Sequence, residues 1–141
     1  MANVVVIEDH QPVLKLLSNL CRSEGHEVMA FDNGRAGLEA IRELAPEIAL
    51  VDRRLGDVDG LEVIRDARAA SPATRFVMVS ACSETRDIVM AMRRGACDYV
   101  TKPFEPADIT GALERALAEP MEPQPISRPK LIILCPKKEA A

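Results

Sequence analysis

The sequence predicts an α/β fold, doubly wound, in which a five-stranded parallel sheet carries helices on both faces. Two observations predict it. Short apolar runs rich in β-branched residues alternate five times with segments whose apolar residues recur at helical spacing. The conspicuous polar residues fall at the ends of those runs, where an open parallel sheet gathers its ligands.

Val4, Val5, Val6 and Ile7 open the series, and four consecutive β-branched residues suit a strand covered on both faces. Leu14, Leu16, Leu17, Leu20 and Cys21 then recur at helical spacing. Pro12 is placed for a first helical turn and Gly25 for a stop. The second unit pairs a strand over 28–31 with a helix over 36–44. The third pairs 48–52 with 61–69, the fourth 76–80 with 88–92, and the fifth 99–101 with 109–117. Right-handed crossovers leave few topologies for five such units, and the flavodoxin-like strand order 2-1-3-4-5 is expected.

Residues 1–118 therefore read as one domain and 119–141 as a Pro-rich C-terminal tail or the start of a linker. Pro120, Pro123, Pro125, Pro129 and Pro136 supply half of the chain's ten prolines. Leu131, Ile132, Ile133 and Leu134 form an apolar island there, which could dock on a partner or add an edge strand.

Composition narrows the function classes. A formal charge of −4, one Tyr, three Phe and no Trp provide neither the basic footprint nor the stacking platforms of a nucleic-acid binder, so no direct nucleic-acid contact by this chain is expected. Cys21, Cys82, Cys97 and Cys135 show no ligand-like spacing and read as free thiols. His10 and His26 are each isolated and read as surface or packing residues. No signal segment or membrane-length apolar run is present, and a cytoplasmic location is expected.

Glu8 and Asp9 end the first strand, Asp52 the third and Ser80 the fourth, while Lys102 lies just past the fifth. Three clustered carboxylates raise one another's pKa, so all stay ionised only beside a cation, and oxygen ligands of this kind suit Mg²⁺. Any one of these residues could instead cap a helix or sit on the surface. Five of them at matching strand ends argue for a site.

Glu8-Asp9, the stretch from Asp52 through Gly60, Ser80-Ala81 and Lys102-Pro103 resemble the motifs of response-regulator receiver domains, the CheY-like superfamily of two-component signalling. The resemblance covers about residues 3–118. It implies that Asp52 accepts a phosphoryl group from a sensor histidine kinase or a histidine phosphotransfer protein. Asp9, Asp52 and the backbone carbonyl of Arg54 would hold Mg²⁺ directly, with Glu8 reaching it through water. Lys102 would pair with one phosphoryl oxygen and Ser80 would donate to another. The resemblance also implies a switch, in which Ser80 moves toward the phosphoryl group, Tyr99 turns inward, and the face made by helix 4, strand 5 and helix 5 is reshaped. Such a chain is a phosphoacceptor signalling domain rather than an enzyme, although it assists its own phosphoryl transfer and dephosphorylation. Its outlet is a downstream protein, a phosphorylation-dependent homodimer, or an output domain absent from these 141 residues. The Lys102-Pro103 bond resembles the family's cis peptide.

Two departures qualify the resemblance. Gly56 stands where the family usually has proline, which predicts a looser loop after Asp52. Arg53 and Arg54 follow the acceptor. They either balance Asp57 and Asp59 at the surface or, at position 54, influence how long the phosphoryl group survives. Gly60 reads as helix-boundary punctuation.

Three rival readings meet these residues. A haloacid-dehalogenase-like phosphatase needs a carboxylate two residues after its nucleophile, where this chain has Arg54. Flavodoxin needs a phosphate loop after the first strand, where Glu8 and Asp9 would repel the anion. A pseudo-receiver, binding a protein without phosphorylation, remains the alternative, and lost acceptor residues would be its mark.

Overall fold

The computed structural model describes residues 2–118. Strands and helices alternate without exception: β1 (Asn3–Ile7), α1 (Gln11–Ser23), β2 (Glu27–Phe31), α2 (Gly34–Leu44), β3 (Ile48–Val51), α3 (Gly60–Ala70), β4 (Arg75–Ser80), α4 (Thr85–Arg94), β5 (Ala96–Thr101) and α5 (Pro106–Ala118). The strands are parallel and lie in the order β2-β1-β3-β4-β5. This is the doubly wound α/β sheet and strand order that the alternation predicts.

Successive side chains of a strand point to opposite faces, so each strand feeds two cores. Val4, Val6, Leu50, Val77 and Val79 pack on one face under α1 and α5, with Leu14, Leu17, Ile109 and Leu113. Val5, Ile7, Val51, Phe76 and Met78 pack on the other against Ile41, Leu61, Ile64 and Ala91 of α2, α3 and α4. β3 and β4 are buried along their whole length, whereas edge strand β2 is only partly covered. Two of the helices, α2 and α3, begin where a side chain replaces a lost backbone partner: Asn33 accepts from the Ala36 amide at 2.9 Å, and Asp59 from the Leu61 amide at 2.9 Å.

Some boundaries differ from expectation. β5 starts at Ala96 rather than 99: Asp98 interrupts the apolar run but still pairs with Val77 of β4, just past a register shift between Phe76 and Val77. The Asp98 carboxylate caps the Tyr99 amide and pairs with Arg115 of α5 at 2.8 Å. α4 extends to both sides of the predicted 88–92, through polar ends that carry no apolar period. Strand 3 stops at Val51, leaving Asp52 one residue beyond it, although the Asp52 amide still donates to the Ile7 carbonyl at 3.0 Å. The Lys102-Pro103 peptide is cis. Cys21 and Cys82 are free thiols. Among the described residues no helix is long and apolar enough to cross a membrane. The expected tail, with its apolar island at 131–134 and Cys135, lies outside the described residues.

Candidate functional site

The chain turns from one side of β1 to the other between β2 and β3, so the C-terminal ends of β1 and β3 flank the crevice of the sheet. Backbone hydrogen bonds fix what protrudes there. The Glu8 amide donates to the Phe31 carbonyl at 3.0 Å, extending the ladder by one residue and holding Glu8 fully buried, while Asp9 emerges into solvent. Asp52 is buried beside them. Carboxylate oxygens of Glu8, Asp9 and Asp52 all lie within 4.8 Å of one another.

Lys102 reaches this cluster from the end of β5. Its amide donates to the Ser80 carbonyl at 2.9 Å, and its Nζ stands 2.6 Å from Glu8 Oε1 and 3.1 Å from Asp52 Oδ2. Burial pushes the Glu8 carboxyl up to about 7; the Lys102 hydrogen bond pulls it down and the Asp52 charge pushes it up again. Burial works against the Lys102 ammonium, but the Glu8 hydrogen bond and the Asp52 charge outweigh it and raise its pKa. One ammonium thus faces a buried pair of acids, with the third acid close by. The donor set is all oxygen and in excess of its cations, which fits a hard divalent ion such as Mg²⁺.

Ser80 ends β4, buried, and its Oγ accepts from the Cys82 amide at 3.1 Å. The Tyr99 hydroxyl donates to the Cys82 carbonyl, so serine and tyrosine meet on the same short loop between β4 and α4. Burial raises the Tyr99 phenol above its ordinary pKa.

The loop after Asp52 turns at Gly56 and is crossed by backbone bonds. Gly56 takes φ +85°, a conformation closed to proline and rarely adopted by other L residues. Arg54 and Asp59 form an antiparallel bridge across the turn, and the Gly60 amide donates to the Arg53 carbonyl at 2.7 Å. Asp57, in turn, accepts from the amides of Gly34 and Arg35 at 2.9 and 3.0 Å. Slight burial opposes ionisation of Asp57, but these bonds at the α2 N-terminus hold its carboxyl below the usual range. Gly60 is more than punctuation: a Cβ there would lie 2.0 Å from the Asp52 carbonyl oxygen.

Of the residues predicted for the site, the structure brings Glu8, Asp9, Asp52 and Lys102 together and sets Ser80, at the end of β4, and Tyr99, in β5, against Cys82 of the neighbouring loop. Arg54 lies on the exposed turn that follows the acceptor. Arg53 does not balance Asp57. It pairs with Asp59 at 3.5 Å and with Asp87 of α4 at 2.7 Å. Sequence reading missed both the Asp57 cap and the Arg53–Asp87 pair, since each joins residues that only the fold brings together.

A doubly wound sheet with a buried acidic cluster and one lysine at its C-terminal edge defines a receiver-type signalling module. The family model "response regulator receiver domain" matches residues 4–114, and the chain belongs to that family. Phosphorylation and Mg²⁺ binding at an acidic pocket are general features of the family. The DNA-binding response regulator MtrA of Mycolicibacterium smegmatis is 34% identical over 114 residues, covering 81% of this chain and 50% of MtrA. The receiver domain of NtrX from Brucella abortus is 30% identical, with a TM-score of 0.77 over 82% of this chain and 98% of that one. A CheY-like receiver domain protein from Methanospirillum hungatei shares the fold at a TM-score of 0.79, 24% identity, and coverage of 84% and 94%. The chain spans about half the length of the curated MtrA relatives it matches.

Proposed function

We propose that this chain is a working receiver that takes a phosphoryl group on Asp52 from a histidine kinase or a histidine phosphotransfer protein, in the cytoplasm, with Mg²⁺ held by Glu8, Asp9, Asp52 and the Arg54 carbonyl. The observation that carries the reading is the Lys102 ammonium 3.1 Å from Asp52 Oδ2 within a cluster of three carboxylates.

In the transfer, a carboxylate oxygen of Asp52 attacks the phosphorus of the phosphohistidine. An O–P bond forms as the N–P bond breaks, and the imidazole leaves with the bonding pair and takes up a proton. Mg²⁺, when bound, neutralises phosphoryl oxygens and so permits an anion to approach anions. Lys102 already points at Asp52 and supplies a second positive charge where negative charge gathers. Ser80 gives up the Cys82 amide and donates to a phosphoryl oxygen. That shift alters the loop to which the Tyr99 hydroxyl is bonded, and the surface of α4, β5 and α5 follows. The changed face then acts on a partner, on a second copy of the chain, or on an output domain outside these 141 residues.

Arg54, exposed and two residues past the acceptor, is positioned to influence access of water to the aspartyl phosphate. A pseudo-receiver is disfavoured because acceptor, lysine and hydroxyl are all present at the crevice. Incubation with acetyl phosphate tests the reading by intact mass. One phosphoryl group should be gained only with Mg²⁺ and never by Asp52→Asn, whereas no gain by the native chain returns the pseudo-receiver to first place.

A further inference from the structure

Arg53 adjoins the proposed acceptor in sequence, yet its guanidinium serves two helices. Nη1 lies 2.7 Å from Asp87 Oδ1 in the first turn of α4, and Nε lies 3.5 Å from Asp59 Oδ1, the carboxylate that caps α3. The two side chains of the shorter contact are only 22% and 19% exposed, so solvent screens it less than an ordinary surface pair. They stand in the wall of a cleft of about 880 Å³ that separates the loop after β3 from the loop after β4.

The helix they hold has few other anchors. α4 buries a single residue, Ala91, whereas α3 buries five. Its N-cap, Glu84, makes no side-chain capping bond, and Val89, Met90 and Met92 are exposed. An element with so little buried apolar surface is the kind that shifts as a unit, and one ion pair weighs heavily in where it rests.

We propose that the Arg53–Asp87 ion pair is a latch that holds the first turn of α4 in its unphosphorylated position. The residue next to Asp52 then governs how readily α4 moves, by a route separate from Ser80 and Tyr99. A phosphoryl group adds a charge of roughly −1.5 to −2 beside Arg53 and competes with Asp87 for the guanidinium. By linkage, whatever stabilises the unphosphorylated arrangement must weaken occupancy of the acceptor by the same factor. The inference rests on the receiver reading above and adds its regulation.

Beryllofluoride, which occupies a carboxylate as a phosphoryl mimic, gives an equilibrium test on the full chain with Mg²⁺. Asp87→Asn should bind it about 2- to 5-fold more tightly than the native chain, the range expected from a partly covered ion pair. Amide hydrogen exchange over residues 84–94, measured without beryllofluoride, should quicken in the same variant. Exchanging the two charges, Arg53→Asp with Asp87→Arg, should bring both readings back toward native. Glu84→Gln removes a charge from the same cleft, where Glu84 pairs with Arg86 rather than Arg53, and should bind as the native chain does. Unchanged or weaker binding by Asp87→Asn, native exchange in α4, or equal tightening by Glu84→Gln overturns the latch. A native chain that binds no beryllofluoride overturns the receiver reading itself, an outcome distinct from these.

Discussion

Glu8 offers the most direct test of the site's electrostatics. It is fully buried, 2.6 Å from the Lys102 ammonium, and burial pushes its carboxyl up to about 7 from 4.5. A carboxyl whose pKa is higher in the folded chain binds its proton more tightly there than in the unfolded chain. The stability this contributes is complete below about pH 4.5 and is lost as pH rises through about 7. The interval corresponds to roughly 3 kcal/mol for this group, a large share of the 5–15 kcal/mol typical of a domain. Glu8→Gln keeps the shape and cannot ionise, and Lys102 retains Asp52 as its partner. In chelator, urea unfolding of the two chains at pH 5 and pH 8 should therefore show the variant gaining on the native chain by up to about 3 kcal/mol at the higher pH. A difference between variant and native that is the same at both pH values would refute the reasoning. Mg²⁺ should work in the opposite sense, stabilising the native chain more at pH 8 than at pH 5, because a metal ligand must be deprotonated.

Three further outcomes follow from the loop after Asp52. Gly56→Pro, which restores the residue usual in the family, should lower stability by about 1 kcal/mol or more, because proline cannot take φ +85°; a raised melting temperature would show that the turn is built differently. Gly60→Ala would set a methyl group 2.0 Å from the Asp52 carbonyl oxygen and 2.8 Å from Arg53 Cα, backbone atoms that cannot swing aside, and should cost on the order of 2 kcal/mol in thermal unfolding while weakening phosphorylation. Asp57→Ala removes both bonds to the α2 N-terminus and should cost roughly 0.5–2 kcal/mol; unchanged stability in urea would mean that the cap contributes nothing.

The sheet was legible because its strands are buried on both faces and so read as unbroken apolar runs. Val4 to Ile7 is the clearest case, with every side chain covered. Legibility failed where a strand meets solvent: Asp98 lies inside β5, and its partners Tyr99 and Arg115 make it tolerable in ways that no run of letters announces. The acidic cluster was legible for a topological reason, since parallel strands bring their C-terminal ends to one edge whatever the register. What lies one residue off that edge was not. Arg53 and Asp87 are 34 positions apart, as are no two residues that a local pattern could pair, and Asp57 reaches back 23 positions to Gly34. Those contacts depend on the length and direction of side chains across two loops.

The electrostatic cost of the acidic cluster bears on what the cluster can hold. Placing Glu8 and Asp52 in the same buried corner is unfavourable for the empty domain, and the single ammonium of Lys102 offsets only part of it. That residual cost is released by whatever supplies positive charge, so the same burial that destabilises the ionised chain favours a divalent ion at the crevice. Two continuous apolar cores, one on each face of the sheet, give the fold the surplus with which to carry such strain. Substituting neutral residues for the acids should then produce a sturdier domain that has lost its reason to bind metal. The gain in stability of Glu8→Gln and the loss of its Mg²⁺ response are therefore two readings of one interaction, and they must appear together.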